Sequence, residues 1–330
     1  MAFDTGGLVT AIQENSLDFS MKAITGSKIF GLGFDIRQGL KAGVIEKVPL
    51  LEQTAPFYAA ASCAVNASGT TTPTQVSLST TAIAVSPEWC LNDLESFFMQ
   101  MGLGKGANTE TFSGMTMIMD RLAAQIARRV GMMLIQGKTT YTNDTALKQM
   151  NGLISLTDTA GTAIDGNPTA ITTATGVTTS NVIGIVNGII AAIPNRVLGQ
   201  DVVIVMGQND YRTLLAAQIT AGATYVQWAA NNPGYNTSEQ LYPGYNIKVI
   251  ALPELNSDNT IEAGVLPNAI KNRMFAFNPK NILIGTDKLG DFSETDFWYD
   301  KNSRKLKSYC RFSLGINAKF FDEIVQFKLV

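Results

Sequence analysis

Apolar side chains recur at three- and four-residue steps between residues 115 and 134. Together they cover one face of an α-helix and are Met115, Ile118, Met119, Leu122, Ile126, Val130, Met133 and Leu134. Thr111 or Ser113 can cap this helix at its start, and Gly137 can end it. At 1.5 Å per residue, about 25 residues give a rod of roughly 37 Å. The pattern predicts one long helix that lies across a sheet or along a whole domain.

Near the C-terminus the pattern changes to an alternation with a period of two. The inward positions are Leu306, Ser308, Cys310, Phe312 and Leu314, and the outward ones are Lys305, Lys307, Tyr309, Arg311 and Ser313. This alternation predicts a strand with one buried face. An acidic stretch precedes it and holds Asp291, Glu294, Asp296 and Asp300. Because residues 300–303 suit a turn, we expect a hairpin with one acidic and one basic arm.

Helical and strand-like segments alternate in the middle of the chain. Val182–Ile193 predicts a helix that Pro194 stops, and Asp210–Ile219 predicts another. The unbroken apolar run Val202–Met206 predicts a fully buried strand, and Ile247–Leu252 predicts a further one. We also expect Met150–Ile154 to enter a short strand, with a loop rich in Thr and Gly at 158–179. This order predicts a compact α/β unit over about 152–255.

No Asp, Glu, Lys or Arg occurs from Gln53 to Pro87, a run rich in Thr, Ser and Ala. Val44–Leu51 is strand-like, and with Gln75–Val85 it predicts a long β-hairpin around a turn at Ser68 and Gly69. A solvated loop normally carries charge, whereas a core segment is normally rich in Leu, Ile and Val. The run fits neither description, so we interpret it as a ribbon that another copy of the protein covers.

The segments on either side of this hairpin are less regular. Residues 1–43 are punctuated by glycine and predict an extended arm with one short helix around Leu8–Ala23. Pro87–Met101 predicts a short helix, because Pro87 suits a first turn and Ser86 can cap it.

The amino-acid composition also agrees with the burial of surface between copies of the protein. Charged residues make up 16% of the chain, against roughly 25% on average. Gly166–Asn195 and Thr213–Ser238 also lack charge, and interface cores are depleted in charged residues. The formal net charge of −2 argues against a protein whose main task is to grip nucleic acid, but it leaves passive enclosure of nucleic acid open.

Histidine is absent, which removes the commonest general base and the commonest metal ligand. The three cysteines, without a signal peptide at the N-terminus, indicate free thiols in a reducing compartment. The longest apolar run, Val182–Ile193, is too short to span a bilayer. We therefore expect no enzyme, no cofactor, no catalytic or metal site and no membrane segment.

Several features keep a second interpretation open. Gly131–Thr139 resembles a phosphate-binding loop, but its glycine spacing is one residue too long and it ends a helix, where the dipole repels anions. Carboxylates at Asp158 and Asp165, or at Glu294 and Asp296, could bind a cation. The basic residues could contact DNA phosphates or pair with acids of the protein; they are Lys301, Arg304, Lys305, Lys307 and Arg311. Cys310 is predicted to be buried and inert, whereas Cys63 could meet a neighbouring subunit.

The order of these parts resembles a tailed-phage major capsid protein of the Hong Kong ninety-seven type. The stretches that carry the resemblance are Met150–Ile154, Val202–Gly207 with Asn209–Tyr211, Tyr242–Val249 and Phe277–Asp287. The resemblance covers nearly the whole chain and implies an α+β fold of that type. Its parts would be an N-terminal arm (1–43), an extended β-hairpin loop (44–86), a peripheral domain with a long spine helix (87–151), an α/β axial domain (152–255), a return to the β-hairpin of the peripheral domain (256–315) and a C-terminal strand (316–330).

The resemblance also implies a function. Pentamers and hexamers of the chain would form the icosahedral shell around phage double-stranded DNA, in a virion assembled in the host bacterial cytoplasm. A portal would be a partner, and so would a separate scaffolding protein, because residues 1–43 are short for a fused one. Some members of the family cross-link their shells through a lysine of the extended loop; because 53–87 contains none, we expect a non-covalent shell. The alternatives are an encapsulin-like nanocompartment shell and an α/β enzyme, and the absent histidine counts against the latter.

Overall fold

The computed structural model describes residues 27–54, 70–90, 114–141, 146–167, 171, 176–220, 239–242, 244–245, 247–255, 272–287 and 295–329. The strands are β1 (Asp35–Arg37), β2 (Ile45–Thr54), β3 (Thr70–Ser79), β4 (Thr81–Val85), β5 (Glu88–Cys90), β6 (Ile164–Asp165), β7 (Val203–Gly207), β8 (Glu239–Leu241), β9 (Lys248–Leu252), β10 (Met274–Phe277), β11 (Ile282–Thr286), β12 (Thr295–Asp300), β13 (Lys305–Ala318) and β14 (Val325–Phe327). The α-helices are α1 (Gly114–Gln136), α2 (Leu153–Ala160), α3 (Val182–Ala192) and α4 (Gln208–Thr220). The chain is α+β, as predicted.

One sheet is built around the long strand β13, and we call it the β13 sheet. Cys310 pairs with both Thr295 and Val85, which places β12 and β4 on opposite edges of β13. Beyond β12 the same edge pairs with β11, which in turn pairs in parallel with β1. The short strand β5 continues the β4 edge. Side chains of β13 alternate between buried and half-exposed from Lys305 to Cys310, as the period of two predicts.

The second sheet, which we call the α/β sheet, has the order β6-β14-β10-β7-β9-β8. Its central strand β7 is buried along its whole length, as its unbroken apolar run predicts. Ile204 and Met206 pack in the same cluster as α3 and α4, whereas Val203 and Val205 pack in the cluster that contains α1. The sheet is therefore covered on both faces.

The predicted long helix is confirmed as α1, which ends at Gln136. Along its stripe Leu122 is half-buried, and Ile126 and Val130 are buried. Its last turns are buried on all sides as they pass between the two sheets. The helices predicted at Val182–Ile193 and Asp210–Ile219 and the strand predicted at Ile247–Leu252 are confirmed as α3, α4 and β9.

The strand expected at Met150–Ile154 is wrong, because Leu153 begins the helix α2. Leu153, Ile154 and Thr157 share one buried helix face, and the Thr157 hydroxyl donates to the carbonyl of Leu153 at 3.0 Å. Gly161 ends the helix with a φ of 66°, a left-handed conformation that glycine adopts easily. A short apolar run does not distinguish a strand from a buried helix segment, which explains the error.

The helix expected from Pro87 is wrong at its start, because Glu88–Cys90 forms β5. The Ser86 hydroxyl donates to the carbonyl of Ser308 at 3.1 Å and so caps no helix. Pairing with β13, which is distant in sequence, outweighs the local capping signal. Residues 91–101 lie outside the described ranges.

The single strand expected at Gln75–Val85 is divided at Thr80. Ser79 still pairs with Ile45 in the hairpin, whereas Thr81 pairs with Leu314 in the β13 sheet. The chain therefore leaves one sheet and enters another within two residues. The helix expected at Leu8–Ala23, the turn at Ser68 and Gly69, and the helix caps Thr111 and Ser113 lie outside the described residues.

Strands of the two sheets alternate in sequence order. The predicted domain bounds remain predictions. Within 1–43, β1 belongs to the β13 sheet. Within 256–315, β10 belongs to the α/β sheet and β11 to the β13 sheet. None of the described helices is both long enough and apolar enough to cross a membrane.

Candidate assembly surfaces

The antiparallel pair β2–β3 forms a two-stranded ribbon that no further strand joins among the described residues. Its ten paired positions run from Ile45 opposite Ser79 to Thr54 opposite Thr70. At about 3.3 Å per residue the ribbon is roughly 33 Å long. An isolated two-stranded hairpin is marginally stable in water. The ribbon therefore depends on contacts at its root, where it joins the rest of the subunit.

Close packing fixes the root of the ribbon on the β13 sheet. Val48 and Leu78 form a small apolar cluster with Leu40 and Leu283. At Gly315 a β-carbon would lie 2.1 Å from the carbonyl oxygen of Ser79, so only glycine allows the ribbon to cross the sheet this closely. The root is thus built for direct backbone contact.

Hydrogen bonds add to this packing. The Asn317 side-chain amide donates to the carbonyl of Ser77 at 2.7 Å. The Thr80 hydroxyl donates to the carbonyl of Lys41 at 2.9 Å, and the Ser313 hydroxyl donates to that of Leu40 at 2.7 Å. Contacts within the same chain therefore fix the direction in which the ribbon leaves the β13 sheet.

The strand β2 changes one expectation about this ribbon. The absence of lysine from 53–87 was the reason to expect no covalent link at the loop. The ribbon begins at Ile45, however, and its first strand contains Lys47, whose side chain is exposed. The ribbon therefore does contain a lysine outside 53–87, and the expectation of a non-covalent shell stays a prediction.

The basic segment 301–311 lies on the hairpin β12–β13, whose turn covers residues 301–304 as predicted. Lys305 forms an ion pair with Glu88 of β5, and Lys307 forms one with Asp300 of β12 at 2.7 Å. Lys305 and Lys307 thus meet acids of the same chain, which agrees with the interpretation as an internally paired hairpin.

Asp300 organises the turn of this hairpin. Its carboxylate accepts from the Lys307 ammonium at 2.7 Å, the Ser303 hydroxyl at 2.8 Å and the Asn302 backbone N–H at 3.0 Å. These contacts, led by the one from Lys307, hold the pKa of Asp300 well below its usual range. Asp300 therefore keeps its charge to a lower pH than an ordinary aspartate does.

A buried carboxyl group joins α1, the first described residues and the end of β9. Glu254 is 4% exposed, and one of its oxygens accepts from the Ser27 hydroxyl at 3.0 Å. The Gln136 side-chain amide donates to the Glu254 carbonyl, and a β-carbon at Gly131 would lie 2.8 Å from the Glu254 side chain. Burial raises the pKa of Glu254, and the positive charges of Lys28 and Arg128 only partly oppose this rise.

Sequence reasoning missed the contact around Glu254. A single acid that follows a strand is usually solvated, so its residue type gave no reason to place it inside. Only the long-range meeting of Ser27, Glu254 and Gln136 buries it, and no local pattern encodes that meeting.

The glycines at 131 and 137 are explained by packing, which favours the interpretation of this segment as a helix end. A β-carbon at Gly137 would lie 2.6 Å from the carbonyl oxygen of Met150. The backbone N–H of Gly152 donates to the carbonyl of Gly137 at 2.8 Å. Backbone thus occupies the space that a phosphate group would need.

Two of the carboxylates weighed as cation ligands have partners within the protein. Asp158 pairs with Arg273 at 2.6 Å, and Arg273 is 2% exposed and also donates to Gln326 at 3.0 Å. Asp165 accepts from the backbone N–H of Asn167 at 3.0 Å. Across the described ranges, no three His, Cys, Asp or Glu side chains come together as they would around a metal ion. Glu294 and the side chain of Asp296 lie outside those ranges.

The cysteines divide between interior and surface. Cys310 is buried in the β13 sheet, as its place in the alternation predicts, and Cys90 is exposed. Cys63 lies outside the described residues, so its proposed contact with a neighbour stays a prediction.

Solved structures show what this fold is similar to. A chain of the satellite phage P4 procapsid, which includes the size determination (Sid) protein, matches with a TM-score of 0.60 at 9% identity, over 96% of this chain and 90% of that one. A chain of the capsid of an empty GTA particle matches with a TM-score of 0.55 at 12% identity, over 92% and 90%. A chain of the capsid of Myoviridae phage XM1 matches with a TM-score of 0.53 at 10% identity, over 92% of each.

No protein-family model and no curated protein sequence matches the chain. The similarity therefore concerns the fold. It extends over more than nine-tenths of the chain, and the chain has the fold found in phage capsids.

Proposed function

We propose that the chain is the major capsid protein of a tailed phage. The observation that carries this proposal is the match of nearly the whole chain to chains of phage capsids. A fold alone does not fix a function, but the protruding ribbon adds independent support. It has ten paired positions and a free outer surface, and its strand β3 contains no charged residue.

Subunits of this kind would assemble into pentamers and hexamers that tile an icosahedral shell around double-stranded DNA. Closed symmetry allows many modest contacts to act together, so no single tight site is required. The near-neutral charge of the chain fits a container that encloses DNA without reading its sequence. A portal, a separate scaffolding protein and assembly in the host bacterial cytoplasm belong to the same proposal. The fold-family assignment to the Hong Kong ninety-seven type does too.

The encapsulin-like compartment is not favoured, because the matching structures named above are phage or GTA particles. An enzyme is not favoured either, since Asp158 pairs with Arg273, Asp165 accepts from the backbone of Asn167, and the chain has no histidine.

Electron microscopy of the purified protein, with size-exclusion chromatography beside it, tests the proposal. We expect closed polyhedral shells or rings of five and six subunits, formed either alone or when scaffolding protein is co-expressed. Particles that contain a cargo protein and form without any phage component would support the compartment instead. A monomer that stays monomeric under all these conditions would contradict a shell function.

A further inference from the structure

Glu254 is a buried carboxyl group that lies where three parts of the chain meet. It belongs to the 3-10 helical turn Pro253–Leu255, which follows β9, and its side chain is 4% exposed. The Ser27 hydroxyl donates to it from the start of a second such turn, Lys28–Leu32. From α1, Gly131 approaches so closely that an added β-carbon would lie 2.8 Å from the Glu254 side chain. The carboxyl group therefore contacts both the beginning of the described chain and the long helix.

The two oxygens of this carboxyl group have different surroundings. Oε1 accepts from the Ser27 hydroxyl at 3.0 Å. Oε2 is buried and has no hydrogen-bond partner among the described residues. A buried carboxylate with an unpaired oxygen is costly, because burial removes the water that would solvate its charge, whereas the neutral acid loses much less. The site therefore favours Glu254 with its proton bound.

The groups around the site act in both directions on the pKa of Glu254. Burial raises this pKa and is the largest influence, whereas its own backbone N–H, the hydrogen bond from Ser27 and the charges of Lys28 and Arg128 oppose the rise. Asp120 lines the same open cavity, and a second acid there adds no support for a charge on Glu254. The strand β7, which packs against the turn that carries Glu254, contains no titratable residue. The nearby cations therefore do not offset the burial.

The turn Lys28–Leu32 is connected to Glu254 through Ser27. The Ser27 hydroxyl accepts from the backbone N–H of Ile29 at 3.4 Å, and so caps the turn, while it donates to Glu254. Ile29 is the only buried residue of this turn, and it packs in the same cluster as α1. A turn of this length with one buried side chain can open locally while the two sheets stay folded.

We propose that Glu254 controls this contact through its proton: the neutral acid holds the turn Lys28–Leu32 against α1, and loss of the proton opens the turn locally while the rest of the subunit stays folded. Opening lets water reach Oε2 and solvate the charge. The opening equilibrium therefore rises with pH from the pKa of an ordinary glutamate, about 4.3, up to the higher pKa of the closed site, and is constant above it.

This proposal goes beyond the shell function, because it concerns the single subunit. In a shell, it would make the attachment of the predicted N-terminal arm depend on pH, since the turn lies within residues 1–43.

Hydrogen exchange measured by mass spectrometry, at a protein concentration below assembly, tests the proposal. Exchange is followed from about pH 4 to about pH 8 in a peptide that covers residues 27–34 and in one that covers β7, whose buried amides report global unfolding. Glu254→Gln keeps the size of the side chain and stays neutral at every pH. Glu239→Gln is the matched control, because it removes an exposed carboxyl group from β8.

The wild-type exchange rate divided by that of Glu254→Gln at the same pH cancels the pH dependence that all amides share. For residues 27–34 we expect this ratio to rise with pH, by at most about tenfold per pH unit because one proton is released, and by about threefold or more in total. This peptide should also exchange about tenfold or more faster than the β7 peptide, because it opens without global unfolding. Glu239→Gln should behave like the wild type.

Three results would overturn the proposal: a ratio for residues 27–34 that stays constant with pH, exchange of this peptide as slow as that of β7, or loss of the rise in Glu239→Gln as well. If Glu254→Gln does not fold, Ser27→Ala replaces it. Loss of the cap should then speed the exchange of residues 27–34 by about threefold or more even at the lowest pH, and unchanged exchange would overturn the proposal. Electron microscopy measures shell formation separately, so a failure here leaves the proposed function unaffected.

Discussion

The ribbon β2–β3 and the central strand β7 are both β-structure with little charge, yet they relate to solvent in opposite ways. Every residue of β7 is buried within the subunit. The side of the ribbon that carries Ile45, Leu51, Pro73 and Ser79, which we call its outer face, is exposed at each of these positions. A lack of charge therefore indicates burial but does not say by what. The apolar residues of β7 are covered within the subunit, whereas the described side chains on the outer face of the ribbon stay exposed in it.

The two regions should also contribute differently to stability. The strands of the α/β sheet bury apolar side chains in each subunit, and each fully buried large side chain contributes about 1.5–3 kcal/mol. Beyond its root the ribbon buries almost nothing of its own chain. Changes inside the body should therefore unfold the subunit, and changes in the ribbon should affect assembly alone.

The largest effect is expected from a charge in the body. Ile126→Asp buries a carboxylate on the stripe of α1, where Ile126 is 3% exposed, and we expect a loss of about 3 kcal/mol or more in the free energy of unfolding. The neighbouring exposed position supplies the control, Gln125→Asp. Chemical denaturation measures both variants. If Ile126→Asp were as stable as its control, the stripe would not be part of the core.

Removal of the ribbon should separate folding from assembly most clearly. Replacing residues 51–73 by Asn-Gly joins the paired positions Leu50 and Thr74 through a two-residue turn and keeps the root. We expect a melting temperature within about 3 °C of the wild type, together with loss of particles in electron microscopy. Normal particles from this variant would show that residues 51–73 have no part in assembly, and an unfolded subunit would show that they belong to the core.

Gly315→Ala tests the joint between the two regions. The added methyl group would lie 2.1 Å from the Ser79 carbonyl oxygen, so we expect a loss of about 1–3 kcal/mol in the free energy of unfolding and a redirected ribbon that assembles poorly. Gly184→Ala in α3 is the control, because no atom lies within 4 Å of the added carbon, and helix propensity predicts a gain of about 0.5–1 kcal/mol. In thermal melting, Gly315→Ala should lower the melting temperature and Gly184→Ala should raise it.

The smallest effect concerns the buried carboxyl group of Glu254. Its pKa is raised in the folded state, so the unfolded state loses the proton first as the pH rises, and stability falls between the unfolded pKa and the folded one. Glu254→Gln removes this dependence. The melting temperature of the wild type, measured relative to that of the variant, should therefore decrease from about pH 4 toward neutrality. A difference that stays constant with pH would show that Glu254 is not perturbed.

The periodicity of apolar residues was sufficient to predict an element where the pattern was long. The stripe of α1 and the alternation in β13 predicted both elements, because each extends over many residues and has one dominant buried face. The predictions for short segments were wrong. Leu153–Ala160 has too few residues to separate a helical from an extended pattern, and Glu88–Cys90 becomes a strand through pairing with residues more than two hundred positions away.

The ribbon was anticipated from missing charge, but its root was not. Nothing local indicates that the chain changes sheets at Thr80, or that Gly315 is the residue on which it crosses. Both depend on contacts distant in sequence, and a single sequence does not show them. The face of the ribbon that stays uncovered became apparent only once the register of β2 and β3 was known.

Asn281 holds together the two links that connect the β13 sheet with the α/β sheet. It lies in the link between β10 and β11, and its side chain both accepts from the N–H and donates to the carbonyl of Phe320, at 2.8 Å each, in the link between β13 and β14. The two links are thereby tied side by side. We expect a force that pulls on the ribbon to enter β13 near Gly315 and Asn317, where the ribbon contacts it, and to reach the α/β sheet through both links. In a pressurised container, this arrangement would spread force from a neighbouring subunit over the whole body instead of one strand.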